Sequence, residues 1–123
     1  MAERSNEPTV YNFEGGLRLR NSALKPGART TYSTKKIEFF HFANGRKFLL
    51  EPDRGAQVNL GFRPGLAGPI ITSFKPTVGK NSNVKSHWGM PNNEFVKIEV
   101  ADTELPNSIT VEAAIELLSR LSK

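Results

Sequence analysis

Cysteine is absent from all 123 residues, which removes disulfides, thiolate metal sites and thiol nucleophiles together. Histidine is scarce: His41 and His87 lie far apart in sequence and are too few for a dedicated metal centre. No window approaches the roughly 18 consecutive apolar residues of a membrane-spanning helix. The opening MAERSNEPT lacks the apolar core of a secretory leader, and Ala2 in place of glycine excludes myristoylation. Together these absences favour an intracellular protein, cytoplasmic or in a host-cell cytoplasm, with no metal, cofactor or membrane partner. Acidic residues are also scarce where it matters. Between Gly15 and Trp88 stand 13 Lys/Arg against only Glu38, Glu51 and Asp53, so this stretch carries +10 in a chain of net charge +5. Both ends are acidic, and a positive field sorted in this way points to a polyanionic partner.

The length fits one domain with a core of its own. Residues 1–8 read as a polar, disordered arm, followed by a single β-rich domain over 9–123. Thr9–Phe13 and Leu17–Arg20 are expected as short strands around Gly15-Gly16, and the alternation Leu17-Arg18-Leu19-Arg20 assigns leucines and arginines to opposite faces. Residues 21–34 read as a loop or weak edge strand. The strongest local signal is a hairpin over 35–51, two apolar-aromatic runs joined by Asn44-Gly45. A two-residue turn there pairs Ala43 with Arg46, His41 with Phe48, Phe40 with Leu49 and Glu38 with Glu51. One face then carries Ile37, Phe39, His41, Phe48 and Leu50. The other mixes Phe40, Phe42 and Leu49 with Lys36, Glu38, Lys47 and Glu51. Further strands are expected at Ala56–Phe62, Ile70–Phe74 and Glu94–Ala101, with a turn over 63–69 and a long functional or disordered loop over 75–93. A helix over 110–122 is expected from Val111, Ala114, Ile115, Leu118 and Leu121, capped by Thr110. The expected fold is therefore mainly β (α+β), an antiparallel sheet or partly open barrel or sandwich of five to seven strands with one C-terminal amphipathic helix.

Catalytic patterns are missing. Val78-Gly79-Lys80-Asn81-Ser82 fails the phosphate-loop rule, because Asn81 stands where Ser or Thr must follow the lysine. Ser86-His87 has no recognisable acid to complete a triad. Glu38 opposite Glu51 would make a like-charge pair, which Lys36 and Lys47 neutralise more simply. The chain is read as a binding protein and not an enzyme.

The bases are interleaved with aromatics, and that combination suits nucleic acid: cations neutralise phosphates, while exposed rings stack on bases. Candidate phosphate contacts are Arg18, Arg20, Arg29, Lys35, Lys36, Arg46, Lys47, Lys80 and Lys85. Candidate stacking residues are Phe40, Phe42 and Trp88, each of which has core packing as its alternative. Phe39-Phe40-His41-Phe42-Ala43-Asn44-Gly45-Arg46-Lys47-Phe48-Leu49, followed by a C-terminal helix, resembles the aromatic-basic hairpins of single-strand-binding sheet folds such as the PUR repeat; the 75–93 segment departs from that plan. The leading expectation is a self-associating protein that binds single-stranded DNA or RNA. The alternatives are a structural or assembly subunit, such as a viral coat or accessory protein, and a small inhibitor of a nucleoprotein complex.

Overall fold

The computed structural model describes residues 7–52, 57–63, 77–103, 105, 106 and 108–123. In chain order these form helix α1 (Glu14–Leu24), strands β1 (Arg29–Ser33), β2 (Glu38–His41), β3 (Lys47–Pro52), β4 (Val58–Phe62) and β5 (Thr77–Lys80), helix α2 (Ser82–Trp88), strands β6 (Glu94–Ala101) and β7 (Ser108–Thr110), and helix α3 (Val111–Leu121). The strands make one open sheet in the order β1-β2-β3-β4-β6-β5, with antiparallel neighbours throughout. β7 joins β6 in parallel at Glu99–Ala101, beyond the stretch paired with β5. The expected mainly-β α+β class and C-terminal helix are both present.

Why the strands read as unbroken apolar runs follows from burial on both faces of the sheet. On one face Phe40, Phe42, Phe48, Leu50, Leu60, Phe62, Ile98 and Val100 meet Leu19 and Ala23 of α1 and Leu117, Leu118 and Leu121 of α3. On the other, Ile37, Phe39, Leu49 and Phe95 meet Val84 and Trp88 of α2, together with Met90. Each fully buried phenylalanine contributes about 1.5–3 kcal/mol. Beside the hairpin both sheet faces carry buried apolar side chains.

The hairpin forms where expected but in a register one residue away. Phe42 N donates to Arg46 O at 2.8 Å and Gly45 N to Phe42 O at 2.9 Å, so the loop is Ala43-Asn44-Gly45, with Gly45 at positive φ (88°). A three-residue loop with glycine in the left-handed position replaces the two-residue turn. Its ladder pairs Glu38 with Leu50, Phe39 with Leu49, Phe40 with Phe48 and His41 with Lys47. Because a shift of one residue exchanges faces, Phe48 stacks on Phe40 (centroids 4.6 Å, interplanar angle 4°) instead of sharing a face with Phe39. Glu38 and Glu51 do not oppose each other.

Three further expectations are corrected. Thr9–Phe13 is not a strand; it is a strap held by bonds such as Val10 N to Lys35 O (3.1 Å) and Thr9 Oγ1 to Thr34 O (2.6 Å). Leu17–Arg20 lies inside α1, where Leu19 and Ala23 are buried one turn apart while Leu17 is 41% exposed. Four alternating residues are too few to separate a period of 2 from 3.6. The 75–93 segment is no long loop: from Thr77 it contains β5, α2 and the approach to β6. Asn81 caps α2 by accepting from Asn83 N (2.9 Å), and Gly89 ends it in the left-handed conformation (φ 65°). The turn over 64–69, the strand at Ile70–Phe74 and arm residues 1–6 lie outside the described residues. Residues 21–34 close α1 and supply the edge strand β1, and α3 follows Thr110 as expected, with Ala113 N donating to Thr110 Oγ1 (3.2 Å).

The hairpin tip also clamps the end of α3. Asn44 Nδ2 donates to Leu121 O (2.7 Å), Asn44 Oδ1 accepts from Arg46 N (2.9 Å), and Arg46 Nη1 reaches Leu121 O (3.3 Å). These bonds satisfy a carbonyl that the helix end leaves open. Asn44→Ala is expected to lower stability by about 1–2 kcal/mol in urea unfolding and to speed amide exchange in the last turn of α3; unchanged exchange there would show that the clamp is idle.

Candidate polyanion-binding site

Cations separated in sequence become neighbours through strand pairing. Arg29 opposes His41 across β1/β2, and His41 opposes Lys47 across β2/β3. Opposed residues share a face, so the three form a row across the sheet with steps of about 4.8 Å. Arg63 follows directly on β4, two residues beyond Gly61, the partner of Leu49. Burial first, then the charges of Lys47 and Arg29, hold His41 below the usual imidazole range, so both cations act on its ring. Among the described residues, ion pairs join Arg18 to Glu112, Arg20 to Glu38, Lys80 to Glu94 and Arg120 to Glu116, and none involves the row.

An aromatic pair lies on the same face. Tyr32 opposes Phe39, two residues from His41, and the His87 ring from α2 stacks on Tyr32 with centroids 3.8 Å apart and an interplanar angle of 24°. His87 is exposed and its pKa is lowered by partial burial. The chain's two histidines thus lie on the same face of the sheet.

The other expected site residues are dispersed. Phe40 (0% exposed), Phe42 (4%) and Trp88 (3%) are core residues, leaving no ring face open to a base. Arg46 is spent on α3 carbonyls, Arg18 pairs with Glu112, and Lys80 lies 3.9 Å from Glu94. Lys35 and Lys36 precede β2, beyond the end of the strand opposite to His41 and the row. Lys85 is exposed, and helical spacing sets it on the flank of α2 opposite His87. Of the sequence candidates, Arg29 and Lys47 meet in the row. His41, Arg63 and the Tyr32–His87 pair were missed, since only the correct register connects them.

Arg20 has a different role. Glu38, 3% exposed, accepts from Arg20 Nε (2.8 Å) and Nη2 (3.0 Å), Thr30 Oγ1 (2.7 Å) and Tyr11 Oη (2.7 Å). Burial alone would push the Glu38 pKa up, but these hydrogen bonds and the Arg20 charge outweigh it and hold the carboxyl below its usual range. Burial and then the Glu38 charge push the Tyr11 phenol far up, so it stays protonated and donates. Among the described residues no three His, Asp or Glu side chains gather as a metal site, and no helix is long and apolar enough to cross a membrane.

No family model, curated protein or solved structure matches the chain.

The Glu38 cluster is testable by pH. A depressed carboxyl pKa supplies stability that is complete above the unfolded value near 4.3 and fades as pH falls through the folded value. Glu38→Gln is expected to cost about 3 kcal/mol at neutral pH, with the gap to the parent closing in acid. A gap of constant size from pH 7 to pH 3 in urea unfolding would contradict a charge-based contribution.

Proposed function

We propose that the chain binds nucleic acid, as single-stranded DNA or RNA, by laying the phosphate backbone along the row Arg29, His41, Lys47 and Arg63. The observation that carries this reading is the convergence of Arg29, His41 and Lys47 on one sheet face, where no described carboxylate pairs with them. Arg29, His41 and Lys47 span about 10 Å across three strands, room for two successive phosphates, with Arg63 just past β4 to meet a third. The Tyr32–His87 pair beside the row takes the stacking role first expected of Phe40, Phe42 and Trp88. Contacts of this kind give affinity without sequence readout. The reading is one of binding and not of catalysis.

Fluorescence anisotropy with a labelled oligonucleotide tests it. Three phosphate contacts predict a slope near about −2 in log K against log salt, and Arg29→Ala/Lys47→Ala should flatten it by about 1.4. The Arg18→Ala control, outside the row, should leave the slope unchanged. Absent or salt-insensitive binding would overturn the reading. Phosphate over His41 reverses the unfavourable field of its two cations, so binding draws a proton onto the ring. Affinity should therefore rise as pH falls from 8 towards 6, and His41→Gln should remove that rise.

A second reading, a self-associating assembly subunit, draws on β5. This strand has no partner on its outer edge among the described residues and holds Val78 at 63% exposure. Light scattering after size exclusion separates the two: a large closed species without nucleic acid favours assembly.

A further inference from the structure

Lys35 and Lys36 are charged residues that the row does not use. They line a cleft of about 470 Å³, within the size range of small-molecule sites. Opposite charge is built into its wall. Glu51, near the end of β3, has each carboxylate oxygen contacted by one amide: Oε1 by Asn59 Nδ2 at 3.4 Å and Oε2 by Asn81 Nδ2 at 3.1 Å. Asn59 is only 8% exposed, so its amide is a fixed support and not a mobile surface group. A carboxylate oxygen held by one donor still has acceptor capacity for another. The third ingredient is apolar: Val10, 50% exposed, and Pro52 also line the cleft.

A ligand suited to this arrangement must be anionic at one end, offer hydroxyl donors at another, and present a flat apolar part. Two ammonium groups attract a phosphate. Glu51 repels the phosphate and accepts hydroxyls, which fixes the direction of entry. We propose that the cleft is a binding site for a nucleoside monophosphate, with its phosphate at Lys35 and Lys36, its ribose hydroxyls on Glu51 and its base against Val10 and Pro52. This site is separate from the cation row and stands or falls independently of it.

Titration of the ¹⁵N-labelled protein with AMP, adenosine and inorganic phosphate, followed at the Asn59 side-chain amide, provides the test. AMP should give a saturable shift, with adenosine and phosphate each at least about tenfold weaker. Lys35→Ala/Lys36→Ala alters two exposed residues and should weaken AMP by about tenfold while leaving adenosine unchanged. Glu51→Gln should weaken AMP and adenosine but not phosphate. Its fold is checked by an unchanged thermal midpoint; if that falls, Val10→Asp serves as the second variant and should weaken AMP and adenosine alike. No saturable shift with AMP at millimolar concentration would overturn the proposal, as would phosphate binding as tightly as AMP. Arg29→Ala/Lys47→Ala should leave every arm unaltered, and a loss there would assign the ligand to the row instead.

Discussion

The pairing of Phe40 with Phe48 sets the rest of the structure. Their stacked rings lie against the helix layer, and this fixes which residues of β2 and β3 point towards α1 and α3 and which towards α2. The pairing depends in turn on one backbone position, Gly45, whose positive φ closes a three-residue loop. With two loop residues, Phe48 would leave the layer that holds Phe40 and Phe42, and Leu49 would enter it. His41 would lose Lys47 as its neighbour. Core packing and the cation row are thus consequences of one turn geometry, because strand faces alternate with a period of two.

Burying both sheet faces leaves little apolar surface for recognition and pushes charge to the rims. The exception is Glu38, a carboxylate inside the helix-side layer. Four segments meet on it: the N-terminal strap through Tyr11, α1 through Arg20, β1 through Thr30 and β2 itself. A buried ion pair contributes little net stability compared with a well-packed apolar substitute, but breaking it leaves an uncompensated charge. Glu38 therefore acts as a register pin: misplacing any of the four segments strands a buried charge or a buried hydroxyl. This explains how a helix with no side-chain cap at Phe13 is nevertheless held in place.

Sequence patterns exposed those elements whose signal was local and long enough. The hairpin, β4, β6 and α3 were legible because each showed a local apolar run or carried a turn or cap residue at the expected place. The register was not legible: Asn-Gly serves both two- and three-residue loops, and neighbouring phenylalanines at 39 and 40 give no preference between faces when both are covered. α1 was misread because Leu17-Arg18-Leu19-Arg20 alternates by chance within a helix whose buried stripe is Gly16, Leu19 and Ala23. α2 was missed because seven residues show only two buried positions, Val84 and Trp88; its cap at Asn81 and stop at Gly89 were the available signals. Within the site, Arg29 and Lys47 were identifiable as cations, but their meeting through His41 is a property of pairing alone.

The same logic changes what the +10 stretch means. Thirteen bases in 74 residues suggest one continuous field, yet folding divides them among separate tasks. Arg20 is drawn into the helix layer, Arg46 closes a helix end, Arg18 links α1 to α3, and Lys35 with Lys36 gathers around a cleft. Arg29 and Lys47 acquire direction from the sheet. Side chains one strand apart sit closer together than those two residues apart along a strand, so a row across strands concentrates charge more densely than any run along the sequence. The net charge of this stretch predicts attraction at a distance. The cross-strand row, with an imidazole whose pKa is lowered by burial and by its two cationic neighbours, gives part of that charge a defined place on the surface.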